Sequence, residues 1–325
     1  MEIDGFYHQQ ALAGRRWETA QLEGATFIGC DLSGADFRGT RPKQVTFSQC
    51  NLAGSQWNDA AGALLALADC GLEASDWRGA ALEKSMFSQC RLDNSQWQGA
   101  RLARTAFSDC SLAASHWAAT QFVQSAFNGA DLRAVHLAGL LADTSVFIKA
   151  NFAGMQLPGI VLARCTLQGA DFSGADLTNA NLRECNACNA RFENTVMRGV
   201  IAARGLFAQA SFANCVLDDA QLEAAVLQKA RVVHTRLARA SLFRTVWDHA
   251  VLEQVDFSGA ALGMSRFVHV RGAQVNFQDC KMARADLHGA TWTDTRWDGA
   301  DLDGARATDP ALAAAEQRSL EMEMS

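Results

Sequence analysis

Large apolar residues fall on every fifth position of this 325-residue chain from Leu12 to Leu302, with no insertion or deletion to break the count. Of the 59 positions in that register, 53 are Leu, Phe, Trp, Met or Val, and they take all eight Trp and sixteen of the eighteen Phe, so the register is a structural rule rather than a drift in composition. Two residues before each large position stands a small one, nearly always Ala, Cys, Ser, Thr, Val or Gly. The unit is small, polar, large, polar and often Gly, as in Ala35-Asp36-Phe37-Arg38-Gly39. A period of five fits neither the 3.6-residue helix nor the two-residue strand, so neither element could hold these side chains on one face. A solenoid with several sides to each turn can.

A twenty-residue period lies over the shorter one. Leu12, Leu32, Leu52, Leu72, Leu92, Leu112 and Leu132 form one series, continued by Phe152, Phe172, Phe192 and Phe212. Phe27, Phe47, Leu67, Phe87 and Phe107 form a second, and Trp57, Trp77, Trp97 and Trp117 a third. Four units therefore make one square coil, with the large and small residues inward and each side chain stacked on its copies above and below. The triplets Ala35-Asp36-Phe37, Ala130-Asp131-Leu132, Ala150-Asn151-Phe152, Ala170-Asp171-Phe172, Ala175-Asp176-Leu177 and Ala180-Asn181-Leu182 resemble the motif of the pentapeptide-repeat family: Ala, then Asp or Asn, then Leu or Phe, then two variable residues. The resemblance covers about nine-tenths of the chain. It implies an all-β solenoid, a right-handed quadrilateral β-helix of about 14–15 four-sided coils over residues 12–306, with an N-terminal cap in 1–11 and a capping or dimerisation helix in 307–325.

Those caps follow from the raw strand edges that a solenoid exposes at its ends. Thr308-Asp309 supplies an N-cap, Pro310 the first helical position and Ala311 to Arg318 strong helix formers, which predicts a short C-terminal helix. Its Leu312 and Leu320 are expected to lie over Trp292 and Trp297, or to serve a homodimer. Ile3, Phe6 and Tyr7 are expected to cover the other end.

Six positions break the large-residue rule: Pro42, Gly62, Ala142, Ala187, Ala202 and Gly272. Pro lacks the donor that a stacked strand needs, so Gly39 to Gln44 reads as a bulge or turn. Trp57 and Trp77 are expected to fill the space that Gly62 leaves, because cores hold near-constant density. The functional alternative is a shallow recognition site near residues 40–65.

Charge excludes some classes. The net charge is −6, and 15 acids against 12 bases in 1–160 and 20 against 17 in 161–325 leave each half at −3, so no whole-surface footprint for nucleic acid or membrane exists. Nine of the ten Cys, Cys30 and Cys50 among them, sit at multiples of five in the small position and read as buried thiols with parallel Cβ vectors. Only Cys188, with Cys185, makes a lone half-motif. His116 and His136, and likewise His249 and His269, stand one coil apart with no evident third ligand, so neither pair reads as a metal centre. No nucleophile triad, nucleotide loop or catalytic carboxylate pair emerges, and the chain reads as a non-enzyme without cofactor. One run rises above background: Lys229, Arg231, Arg236, Arg239 and Arg244 lie between Glu223 and Asp248 with no acid among them. With Arg41 and Lys43 beside Pro42, they form the candidate interaction surface.

Residues 1–10 carry two acids and no apolar run, and no stretch of 18 apolar residues occurs, so the expected location is the cytoplasm. A long regular surface without reactive groups suits a protein–protein interaction scaffold whose partner is unidentified, with no direct contact to nucleic acid or membrane. The family resemblance implies two forms of that role. One is an accessory or adaptor of bacterial type VI secretion. The other is a DNA-mimicking modulator of DNA gyrase or topoisomerase IV, of the quinolone-protection type, which needs a continuous acidic stripe that the balanced halves and the basic 229–244 stretch do not supply. The inward register itself is testable: Leu92→Asp buries an unpaired charge and should abolish cooperative folding in denaturant titration, whereas unchanged stability would place Leu92 on the wrong face.

Overall fold

The computed structural model describes residues 2–323, with side chains from 4 to 316. The chain divides into two compact units, one ending at Asp171 and the other beginning at Phe172. Each is a four-sided parallel β-solenoid, and together they make about 14 turns followed by a single short helix.

In the first unit one side is a nine-stranded parallel sheet running from Glu2–Ile3 through Gln21–Glu23, Arg41–Lys43 and Ala61–Ala63 to Val161–Ala163. A second side is a seven-stranded sheet from Phe6–His8 to Ala126–Phe127. The other two sides are held by single bridges such as Asp31↔Asn51 and Asp36↔Gln56. Past the first link, where Glu2 pairs with Gln21 nineteen residues on, every link advances one twenty-residue coil, as in Phe27↔Phe47 and Phe47↔Leu67, so the sequence period and the ladder register are the same quantity. The second unit repeats this plan with one five-stranded sheet, Ser211–Ala213 to Thr291–Thr293, and bridges elsewhere.

The pentapeptide explains itself through hydrogen bonds. The large residue donates forward and its polar neighbour backward: Leu32 N–H to Asn51 O at 2.7 Å, and Asn51 N–H to Cys30 O at 3.0 Å. A tight turn then closes each corner, with Ala35 N–H to Leu32 O at 3.0 Å. The turn demands a left-handed residue, which Gly34 supplies at φ 62° and Lys84 and Arg104 adopt at 50° and 53°. Asp or Asn recurs before the large residue because its side chain accepts the N–H two residues on, as Asp31 Oδ1 does from Ser33 at 3.1 Å and Asn51 Oδ1 from Ala53 at 3.2 Å.

The core is a set of columns. Trp57, Trp77, Trp97 and Trp117 stack with centroids 4.6, 4.9 and 4.6 Å apart and planes within 4°. Each such contact contributes about 0.5–1.5 kcal/mol beyond its area. The column runs edge-on against Phe87 and Phe107, for instance Phe87 to Trp97 at 5.6 Å and 80°. A buried indole N–H needs an acceptor, and Ser55, Ser75, Ser95 and Ser115 provide it at 2.9, 2.9, 2.9 and 2.7 Å. Thr245 does the same for Trp247 at 2.8 Å in the second unit. The Cys column is satisfied locally: Cys50 and Cys70 donate to the Ser48 and Ala68 carbonyls at 3.3 Å. Burial pushes the Cys165 thiol up to about 12 and those of Cys215 and Cys280 up to about 11.

Two details differ from the sequence expectations, and a third is explained by the structure. Residues 2–8 extend the ladder: Glu2–Ile3 and Phe6–His8 pair in parallel with the next coil, and Tyr7 stacks on Phe27 at 4.6 Å, because Tyr7 belongs to the Phe27–Phe47 column. Phe6 is exposed, and the Ile3 side chain lies outside those described. The helix forms, α1 spanning Pro310–Glu323, with Asp309 Oδ1 accepting the Ala311 and Leu312 N–H groups. Its Leu312 is exposed while Trp292 and Trp297 stay half-buried; the Leu320 side chain lies outside those described. Lastly, Gly272 is small because the Trp292 ring lies where its Cβ would stand.

Ser95→Ala removes the acceptor of Trp97 and should lower unfolding free energy by about 1–3 kcal/mol in denaturant titration. Ser95→Thr keeps the oxygen and should cost less than half as much; equal losses would show that packing, not the hydrogen bond, matters there.

Candidate interaction surface

The sequence places Pro42 at a position that elsewhere donates forward to the next coil, as Trp57 N–H does to Asp76 O at 2.6 Å. The expected bulge does not form. Arg41–Lys43 remains a strand, pairing at all three residues with Gln21–Glu23, and only the next link suffers, reduced to Lys43↔Ala63. Full pairing resumes between Ala61–Ala63 and Ala81–Glu83. The ladder tolerates Pro42 because neighbouring donors stay engaged, among them Ala61 N–H to Thr40 O at 3.0 Å and Gln44 N–H to Ala63 O at 3.1 Å.

Gly62 is likewise explained by its column rather than by tryptophan. A Cβ on Gly62 would overlap the Pro42 carbonyl oxygen and ring, so the proline itself occupies the space. Trp57 and Trp77 stack on each other, and Phe37 stacks on Trp57 at 4.0 Å.

With Gly62 flanked by Ala61 and Ala63, and Ala81 in the next coil, the outer face sinks into a recess of about 600 Å³. Pro42, Gly62 and Leu82 form its apolar floor. Arg41 and Arg101 stand on one rim, separated along their column by Ala61 and Ala81, and neither makes an ion pair among the described residues. The opposite rim is neutralised: Lys43 pairs with Glu23 at 2.5 Å, and Glu83 with Arg104 at 3.2 Å and Lys84 at 3.6 Å. The recess thus offers an apolar floor beside two unpaired cations. Residues 40–65, singled out by the broken register, lie here; the contribution of Arg101 was missed because it sits three coils away at a regular position.

The run at 229–244 is acid-free only along the chain. Arg231 pairs with Glu253 at 3.2 Å, and Arg239 holds both oxygens of Asp219 at 2.9 and 2.8 Å. Arg236 and Arg198 together bind the buried carboxylate of Asp218, at 2.5 and 3.1 Å, so Arg236 compensates a buried charge. Arg244 lies 5.1 Å from the ring of the exposed Phe243. Lys229 makes no ion pair among the described residues. One coil of separation brings acids eighteen to twenty-two residues away into contact, a distance that reading along the chain ignores.

The histidines also gain partners across coils. His116 and His136 stack at 4.2 Å, and His249 and His269 at 5.1 Å. His269 meets His288 edge-on at 5.6 Å, and Glu316 of α1 lies 3.2 Å from the Nε2 atoms of both. Donation from His288 holds the Glu316 carboxyl below its usual range. The third group that sequence spacing did not reveal comes from the helix.

No helix among the described residues is long and apolar enough to cross a membrane. The model of a pentapeptide repeat region matches residues 70–147, and that of pentapeptide repeats matches 12–41, 145–183, 175–202, 206–242 and 280–309, in 8 copies. No curated protein matches the chain. Among solved structures, the chain is similar to QnrB1, a plasmid-mediated fluoroquinolone resistance protein, at 15% identity over 98% of this chain and 97% of that one, with a TM-score of 0.23. It is similar to HetL, involved in heterocyst differentiation regulation in the cyanobacterium Nostoc sp., at 18% identity over 91% and 92%, with a TM-score of 0.15. The pentapeptide repeat protein Rfr23 of the cyanobacterium Cyanothece matches 49% of this chain and 91% of its own at 15% identity and a TM-score of 0.22.

If Pro42 dictates Gly62, then Gly62→Leu alone should cost about 3 kcal/mol or more through overlap with backbone. The pair Pro42→Leu with Gly62→Leu restores the Leu22–Leu82 column pattern and should recover most of that loss, a coupling measured by a double-mutant cycle. Additive losses would separate the two residues.

Proposed function

Because the chain belongs to the pentapeptide-repeat family, we propose that it serves as a non-catalytic protein–protein interaction scaffold whose docking surface is the recess around Gly62. One observation carries this reading: the ladder departs from its rule at Pro42 and Gly62, and the departure opens a recess between two arginines that make no ion pair among the described residues. Other polar groups of the repeat are committed to the fold itself, as Asp31 and Asn51 are to their turns. A partner that fits presents small or apolar side chains to the floor and carboxylates to Arg41 and Arg101. Because strands fix the walls, little ordering entropy opposes binding. An adaptor of bacterial type VI secretion is one instance of such a scaffold.

The competing role, a DNA-mimicking modulator of gyrase or topoisomerase IV, calls for an unbroken negative column. In the first unit the outward columns alternate instead: Glu23, Lys43, Ala63, Glu83 on one side and Arg16, Asp36, Gln56, Asp76 on another. Several acids are paired as well, Asp36 with Arg38 at 2.6 Å and Asp76 with Arg78 at 2.5 Å. Hydrogen bonds from Arg38 hold the Asp36 carboxyl down at about 2, so this pair stays intact through the physiological range.

The test is capture of partners by the tagged chain from a lysate of its own source, followed by mass spectrometry. Reversal of Arg41 and Arg101 to Glu should reduce recovery of the captured partner by about tenfold or more and weaken its salt dependence. Undiminished recovery, with loss on reversing Lys229 and Arg244 instead, moves the surface to the basic run; enrichment of topoisomerase subunits would favour the mimic.

A further inference from the structure

We propose that His269, His288 and Glu316 form a zinc site in the second unit, independent of the recess and its partner. The three donor atoms converge from separate parts of the fold: two imidazoles from successive coils and a carboxylate from α1, all within 4.8 Å of one another. Glu316 Oε2 is 3.2 Å from each Nε2. Tetrahedral zinc with bonds of about 2.0–2.1 Å sets its ligands about 3.3 Å apart, so both histidine–carboxylate spacings already fit, and the two imidazole nitrogens, within 4.8 Å, close on the ion. Two imidazoles and one carboxylate are a zinc donor set with a fourth position left for water, whereas calcium and magnesium call for oxygen donors.

The surroundings hold this arrangement. The His269 ring stacks on His249 on one side, and it occupies the place where a Cβ of Gly289 would stand on the other. His288 is buried, while His269 and Glu316 are each about one-third exposed, which gives an ion a path to the site. The Asp309 N–H donates to His288 Nδ1 at 3.1 Å, so without metal the proton of this ring sits on Nε2 and points at Glu316. Zinc takes the place of that proton, which moves to Nδ1. One hydrogen bond to Asp309 is then exchanged for metal–ligand bonds, and because Asp309 caps α1, occupancy is felt at the start of the helix.

The test uses the full-length chain without a tag, stripped by chelator and titrated calorimetrically with zinc sulfate. One zinc per chain should bind with Kd of about micromolar or tighter. Glu316→Gln and His269→Gln should each weaken binding by about tenfold or more with unchanged circular dichroism, and His116→Gln, in the other histidine pair, should leave it unaltered. Cobalt in place of zinc should give a spectrum of nitrogen and oxygen ligands without a thiolate charge-transfer band, which separates this site from the ten cysteines. Absence of saturable binding, retention of full affinity in either variant, or a thiolate band would overturn the proposal.

Discussion

In each solenoid unit, an inward side chain packs chiefly against the residues twenty positions before and after it, and this constraint governs the rest. Stacked columns reward identity: an indole lies over an indole at 4.6 Å with nearly parallel planes, and from Trp57 to Trp117 each N–H finds a serine at the same offset. The small residue two positions earlier is therefore not an inert filler. It is Ser or Thr before six of the eight tryptophans, and at Trp57, Trp77, Trp97, Trp117 and Trp247 its hydroxyl accepts the indole N–H, where a buried donor would otherwise go unmet. Where the neighbouring large residue is Leu or Phe the position is freer: Ala, Cys, Val and Gly occur there as well as Ser and Thr, whose hydroxyls then bond to backbone, as Ser125 does to Leu102 O at 2.9 Å.

The same constraint determines how a defect spreads. A globular core answers a misfit residue by shifting neighbours from many directions, but a ladder can answer only along its column. Pro42 keeps the buried, inward place of its strand, because the strands on either side hold their register, and its carbonyl and ring then stand where the side chain of residue 62 would begin. The next residue of the column must give way, so Gly62 loses its side chain and the outer face sinks. Gly272 and Trp292 show the reverse direction of the same rule, the larger residue following the smaller.

Legibility followed from this geometry. Register, coil size and inward columns were all readable because a five-residue period with a twenty-residue overtone has a single structural solution, and the C-terminal helix was readable from Asp309 and Pro310 alone. What escaped were contacts between coils on the outside. Arg236 looked unopposed because Asp218 is eighteen residues away, and Arg101 looked ordinary because the recess that gives it a purpose is made by Pro42. Tyr7 was assigned to a cap although it stands twenty residues before Phe27, a signal present in the numbering but short of the first clear Leu. The join of His269 and His288 to Glu316 had no signal at all in the spacing, since nothing in a repeat announces where a terminal helix folds back.

A solenoid built this strictly leaves few places where specificity can reside. Inward positions are spoken for by stacking and the turn residues by the corners, so recognition has to use outward side chains whose column partners fail to neutralise them. By that criterion the long basic run is weaker than it looks, because Arg231, Arg236 and Arg239 each return their charge to an acid one coil away, and Asp218 is so deeply buried that Arg236 serves the fold before any partner. Arg41 and Arg101 meet the criterion better: the intervening coils carry alanine in their column, so neither has a carboxylate to answer, and both stand beside an apolar floor that water solvates poorly. A charge held by rigid backbone, unpaired and next to apolar surface gains most when an opposite charge replaces its water, and in the first unit the fold concentrates that condition at the one column where its own rule is broken.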